Sequence, residues 1–417
     1  WPQYISLDKS SEGMMLEPSR TKAANSELPS LAYEELVLGR VVGRGGFSVV
    51  NDIREINLQE VYDTSNEGAK QRADIARDCC SATGSYRYVV KMLRTDLPDD
   101  EHAKGVVDLA VEARFLAKLS HPNIITMRAT ANSDPLESKF FVVLDKLIST
   151  LEHKMHSWRK EIGSAMGFWF GPCIGHCCAN KQVLHRLWID RLLVARDCAA
   201  AIRYLHDQDI VYRDLKPDNV GFSETGDVKI FDFGLAKRLI PDERLETGLY
   251  TLTGNTGSLR YMAPEVALGR PYDARVDAYS FGILFWQICA LTTPYSGYSC
   301  KMHADLVVGK GYRPKPDSSW PSPWSDLMKR CWSTDIMVRP DFEHIVHVLD
   351  EEIEEMLREE GTAHQGERSG HIHARKKRTH RIKAQKDGER LDVDTRIHVS
   401  GFVPEDGPQK RHDADIV

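Results

Sequence analysis

Long apolar runs are missing from this 417-residue sequence. The longest, Phe281 to Trp286, falls far short of the roughly 18 residues that a bilayer-crossing helix needs, so no spanning segment is expected. An excess of one charge is missing too. The 55 basic and 61 acidic residues leave a net charge of −6, and the whole-chain balance asks for neither nucleic acid nor an anionic membrane. The nine cysteines are odd in number and scattered. That excludes a disulfide scaffold and reads as reduced thiols of an intracellular protein, cytoplasmic or nuclear. The chain opens at Trp1 with no basic-then-apolar leader, which reads as a processed chain or a fragment. What is present is enough apolar residue, 41%, to bury a substantial core in two to three domains.

The stretch that organises the rest is Ile210 to Val220, IVYRDLKPDNV. A β-branched run brings the backbone in. Arg213, Asp214, Lys216, Asp218 and Asn219 then crowd five polar side chains into seven positions, with Pro217 fixing one φ. Such a loop is too polar for core and too rigid for a linker. Polar turns with Asp, Pro and Asn are common connections, so the loop alone means little. Downstream, DVKIFDFGLA from Asp227 to Ala236 supplies a second aspartate between apolar residues, Asp232. Two carboxylates and an amide are the oxygen donors that a hard cation with phosphate takes.

YRDLKPDN followed by DFG resembles the catalytic loop and metal-binding segment of eukaryotic protein kinases. The resemblance implies an α+β, two-lobed kinase fold: a small β-rich lobe with one helix and a large, mostly helical lobe. It implies that Asp214 accepts or orients the acceptor hydroxyl's proton, that Asn219 and Asp232 hold Mg2+, and that Lys216 meets the charge on the transferred phosphoryl group. That lysine matches the serine/threonine branch. LVLGRVVGRGGFSVVNDI, from Leu36, is a hairpin pattern around a glycine cluster. In the family it covers ATP, which assigns Val42, Gly43, Gly45, Gly46, Phe47 and Val50 to nucleotide binding, Phe47 capping the tip and Val50 on the adenine ring. Ser48 stands where the pattern has a third glycine. In Tyr88-Val-Val-Lys91, a lone lysine amid apolar neighbours needs a partner or a phosphate. Leu109, Glu112, Leu116 and Leu119 share one face of a helix predicted from about Asp100 to Leu119. Glu112 is the odd acid on that face, and the family pairs it with Lys91.

The same resemblance makes Phe140 to Leu144 a strand entering the adenine hinge, with Leu144 as gatekeeper and Asp145 and Leu147 beside the ring. Val89 replaces the usual alanine above adenine and Gly221 the usual leucine below, so the ring is expected to sit lower in a pocket of preserved volume. Tyr212 replaces the usual histidine. With Leu116, Met127 and Phe233 it is expected to form an apolar column anchored by Asp277. Ser258 matches the hydroxyl that contacts the catalytic Asp and Lys, and Glu265 the acid that pairs with an arginine, here Arg339. Arg213 and Lys237 are expected to meet a phosphate carried by Thr247, Tyr250, Thr251, Thr253 or Thr256. Cys331-Trp332 and Arg339-Pro340-Asp341-Phe342 resemble the closing helices of the tyrosine-kinase-like group.

Residues 1–34 read as a flexible arm, 35–147 as the small lobe, 148–356 as the large lobe and 357–417 as a basic, disordered tail. Residues 57–86 and 158–183 read as insertions, the first polar and without an apolar stripe that demands burial. Cys79 and Cys80 in the first are read as inert, with redox chemistry as the alternative. In the second, GPCIGHCC gathers Cys173, His176, Cys177 and Cys178 too tightly for a standard zinc site. The favoured reading there is an apolar insertion, with Phe168, Trp169 and Phe170 on the large lobe. The tail's HARKKRTHRIKAQK, from His373, is solvated or docks an anionic or nuclear-import partner. The expectation is thus a kinase transferring the γ-phosphoryl of Mg-ATP to serine or threonine of protein substrates, switched by activation-loop phosphorylation. The alternatives are a dual-specificity kinase or a catalytically weak nucleotide-binding scaffold. No specific nucleic-acid binding is expected.

Overall fold

The computed structural model describes residues 28–59, 66–80, 84–165 and 176–363. The chain divides into two units after Arg358, and both lobes belong to the first.

In the small lobe, β1 (Ser30–Leu31), β2 (Leu36–Arg44), β3 (Ser48–Ile56), β4 (Tyr88–Leu93), β5 (Met127–Ala131) and β6 (Phe141–Asp145) form one sheet in the order β1-β5-β6-β4-β3-β2. Strand β5 alternates as a half-covered strand must, with Met127, Ala129 and Ala131 buried. α1 (Asn66–Asp78) lies between β3 and β4 in the chain. α2 (Asp99–Leu116) packs on β4 and β5. Its inward stripe of Gly105, Leu109, Glu112, Ala113 and Leu116 keeps helical spacing.

Two expectations about this lobe are corrected. Residues 28–34 are not part of an arm: β1 pairs in parallel with β5, and Leu31 is fully buried. The polar insertion is not unburied either. Arg72 of α1 forms an ion pair with the wholly buried Glu35 and donates to the Ser30 carbonyl at 2.8 Å. Glu35 also accepts from the backbone of Ala32 and Gln59. A charge pair, invisible to hydrophobic periodicity, does the burying.

The large lobe opens with β7 (Ser149–Thr150) and α3 (Leu151–Ala165), then α4 (His176–His206). β8 (Ile210–Val211), β9 (Val220–Phe222), β10 (Val228–Ile230) and β11 (Lys237–Arg238) carry between them the loops expected to be catalytic and metal-binding. α5 (Pro264–Ala267), α6 (Arg275–Ala290), α7 (Cys300–Met302) with a π-helical run His303–Gly309, α8 (Ser322–Cys331) and α9 (Phe342–Ala363) complete the lobe. α6 is buried on nearly all sides, as its mainly apolar sequence around Phe281–Trp286 requires. The expected second insertion is also redrawn. Trp158–Ala165 continues α3 with Trp158 buried, and α4 begins at His176, inside the expected insertion. Phe168, Trp169, Phe170 and Cys173 lie outside the described residues, as do the side chains of His176, Cys177 and Cys178 and the tail from residue 364.

Candidate active site

Register places the first charged group. On β4, Lys91 sits opposite Val50 of β3 and Val142 of β6, so its ammonium leaves an apolar strand and must find anions. It finds Glu112 of α2 at 2.5 Å and Asp232 at 3.2 Å. Burial opposes the charge on Lys91, and the two carboxylates outweigh it, holding its pKa above the ordinary lysine value. Lys91 in turn holds Asp232 below the usual carboxylate range, against the pull of burial. Asp232 has φ 65°, a left-handed conformation that turns its carboxylate toward the cleft.

The second group of charges hangs from α6. Asp277, fully buried, accepts from the backbone N–H of Tyr212 at 2.8 Å and of Arg213 at 2.7 Å, and contacts His206 Nε2 at 2.9 Å. With Arg213 at φ 71°, these bonds fix the loop just before Asp214. Lys216 Nζ donates to Asp214 Oδ2 at 2.7 Å and to Ser258 Oγ at 2.8 Å, and Ser258 Oγ donates to Asp214 Oδ1 at 2.9 Å. Asn219 Nδ2 adds a bond to Asp214 Oδ2 at 2.8 Å. The expected column forms as well: Leu116, Met127, Tyr212 and Phe233 are all buried, and the two rings meet edge to face at 5.3 Å.

Between the two groups lies a cleft of about 930 Å³, lined by Val42, Gly43, Gly45, Gly46, Val50, Val89, Lys91, Glu112, Leu144, Asp145, Leu147, Lys216, Asn219 and Asp232 among others. Residues 68–349 match the protein tyrosine and serine/threonine kinase family. The chain belongs to that family. A serine/threonine/tyrosine-protein kinase of Arabidopsis thaliana is 31% identical over 263 residues, 63% of this chain and 59% of its own length. A serine/threonine-protein kinase of the same plant is 36% identical over 186 residues, 45% of this chain and 31% of its own. A dual specificity protein kinase of Dictyostelium discoideum is 37% identical over 156 residues, 37% of this chain and 23% of its own. The chain thus spans about three fifths of the first relative and under a third of the other two.

Within the kinase cleft, two of the residues assigned to nucleotide binding are not part of the wall. Phe47 turns away from the glycine-loop tip onto α2, where a Cβ on Gly105 would meet the Phe47 Cβ at 2.7 Å. Gly221 lies behind Leu147: a Cβ there would meet Leu147 Cδ1 at 2.6 Å. The space left by the small residue is therefore filled by Leu147. Asp145 contributes backbone to the hinge, since Arg128 takes its carboxylate in two bonds of 2.7 and 2.8 Å.

The sequence reading missed several cleft residues. Arg94 donates to the Gly46 carbonyl at 3.0 Å and ties down the loop tip. Ile125 and Phe231 line the apolar end. Asp108, one turn before Glu112, lies against Gly234, and burial and then the charge of Asp232 push its carboxyl up to about 6. Only the spacing of Asp108 to Glu112 signalled it in advance.

For a metal, the donor chemistry fits. The Asp232 side chain is 45% exposed, and the amide nitrogen of Asn219 is spent on Asp214, leaving its oxygen for a hard cation. Among the described residues no cluster of three or more His, Cys, Asp or Glu forms a self-sufficient metal centre. Beyond the cleft, β11 pairs with β8 and so fixes the start of the activation segment. Glu265 at its end holds Arg339 at 2.5 and 2.9 Å, both side chains buried.

Proposed function

We propose that the chain transfers the γ-phosphoryl group of Mg-ATP to serine or threonine hydroxyls of protein substrates. The observation that carries this reading is the bonding of Asp214 to Lys216, Ser258 and Asn219, together with the closed Lys91–Glu112 pair. Lys91, oriented by Glu112, binds the phosphates nearest the adenine. Asn219 and Asp232 would hold Mg2+, which would supply neutralisation of the phosphate charge. Asp214 accepts the proton of the acceptor hydroxyl as its oxygen bonds to the γ-phosphorus and the bond to ADP breaks. Lys216 meets the negative charge on the transferred group. Tyrosine is the second acceptor to test, because relatives of this chain bear serine/threonine/tyrosine and dual-specificity names.

Regulation by phosphate on the activation segment belongs to the same proposal, with a narrower choice of residue. Tyr250 is buried, and its backbone pairs with Tyr272, whereas Thr247, Thr251 and Thr253 are exposed. Arg213 already donates to the Leu235 carbonyl at 2.7 Å and to the Tyr272 hydroxyl at 3.2 Å. A phosphate would therefore have to recruit Lys237, which is exposed. Cys79, Cys80, Cys289, Cys300 and Cys331 form no disulfide among the described residues, in keeping with a reducing setting, cytoplasm or nucleus. The basic run from His373 to Lys386 is proposed to dock an acidic partner or to serve nuclear import.

The test is radiolabelled ATP with a peptide library, comparing wild type with Asp214→Asn and Lys91→Met. Transfer by wild type and a loss of about 10²-fold or more in Asp214→Asn, with nucleotide binding retained, is expected. Equal transfer by wild type and Asp214→Asn would sink the assignment.

A further inference from the structure

Past Asp214 the cleft continues into an acceptor groove whose wall carries charge of both signs. Glu152 of α3 and Asp218 of the catalytic loop supply the acidic groups, brought together by the packing of α3 on Pro217–Asn219. Arg260 and His303 supply the basic groups, close enough for the guanidinium charge to act on the ring. Arg260 lies two residues beyond Ser258, which touches the catalytic carboxylate, so it stands within about 7 Å of Ser258 along the chain. Its side chain is exposed and makes no hydrogen bond or ion pair among the described residues.

Three local costs meet at His303. His303 is 2% exposed, yet neither ring nitrogen has a hydrogen-bond partner among the described residues, an arrangement that native proteins seldom tolerate. Tyr295, whose ring meets His303 edge-on at 5.2 Å, has φ 53°, a left-handed conformation costly for a side chain of its size. His303 also begins the π-helical run His303–Gly309, and such runs are rare and favour functional positions. Local rules broken together at one place in a groove wall point to a ligand.

Charge says which ligand. Burial first, then Arg260 and Arg313, holds the His303 ring below its usual pKa. The ring is therefore neutral at pH 7, with one N–H to donate, in a positive field. A cation would be repelled by both arginines. An anion would pair with Arg260, accept from His303 and relieve the repulsion that keeps the ring unprotonated.

We propose that Arg260 and His303 form a subsite that takes an anionic side chain of the protein substrate, a carboxylate or a phosphorylated residue, close to the acceptor hydroxyl. The subsite rests on the kinase reading above. If His303 were merely an ill-satisfied core residue, no such preference would exist.

The test uses the full chain with acceptor peptides carrying one Glu, phosphoserine, Gln or Lys scanned through the positions flanking the acceptor. At one position or more, kcat/KM for Glu or phosphoserine should exceed that for Gln by about tenfold, with the change mainly in KM. Phosphoserine well above Glu identifies a substrate already phosphorylated, and equality identifies an acidic one. Arg260→Glu, an exposed change that spares the core, should shift the preference at that position toward Lys. Equal rates for Glu, phosphoserine and Gln everywhere, or a preference that survives Arg260→Glu, overturns the subsite and leaves the kinase reading intact. No transfer to any peptide by wild type overturns both.

Discussion

At the residue scale, chemistry follows from how each side chain is held. The adjacent thiols show this. Cys79 is buried and donates to the Ile53 carbonyl, while exposed Cys80 donates to that of Arg54. Burial, then the neighbouring Cys80, pushes the Cys79 thiol up to about 12. Because the thiolate is the reactive form, Cys79 stays protonated and inert through pH 8. Alkylation of the native protein followed by mass spectrometry should label Cys80 and Cys300 and spare Cys79, Cys289 and Cys331 until the chain unfolds. Early labelling of Cys79 would contradict this account. Gly221 is the second case. Gly221→Leu must displace Leu147, and overpacking of this kind costs about 1–3 kcal/mol. As Leu147 moves into the cleft, the nucleotide Kd measured by calorimetry should rise by about tenfold, whereas unchanged affinity would mean the space is free. The sequence flagged Gly221 as unusual but placed the compensation on the ligand, because a packing partner as distant along the chain as Leu147 leaves no pattern.

At the element scale, α1 shows how a polar helix joins a core. Its apolar pattern is weak, and it is fastened by the Arg72–Glu35 pair, 4% and 0% exposed. Removing one member of such a pair strands the other, at about 3–5 kcal/mol. Arg72→Ala should lower the unfolding free energy measured in urea by that amount and loosen β1, which is seen as faster hydrogen exchange at Leu31 and Ala131. The double change Arg72→Met with Glu35→Leu should recover most of the loss. In α2, Gly105 trades helix propensity, about 1 kcal/mol relative to Ala, for the approach of Phe47 and Leu93. Gly105→Ala is therefore expected to destabilise the glycine loop despite the better helix former. Helix α2 and its Leu109–Glu112–Leu116 stripe were legible in the sequence because spacing carries them. Helix α1 and strand β1 were not, because neither has an apolar face long enough to announce itself.

At the scale of the whole molecule, two devices bind the lobes into one catalytic unit: the Lys91–Glu112–Asp232 charges and the column from Leu116 to Tyr212. The column is anchored by Asp277, whose carboxylate satisfies two backbone donors of the catalytic loop. Asp277→Ala leaves those buried donors orphaned, at about 1–3 kcal/mol each. It should lower both thermal stability and kcat, with a smaller effect on peptide KM. The sequence by itself determined the identity and order of the chemical groups, Lys91, Glu112, Asp214, Asn219 and Asp232, because each sits in a local motif whose residue types the chemistry dictates. Only the tertiary structure decided that Phe47 and Gly221 stand off the cleft, that Tyr250 is covered, and that Arg72, Arg94 and Asp108 take part. Those outcomes are set by partners distant along the chain, and burial by a charge pair or a single close contact leaves no period to read.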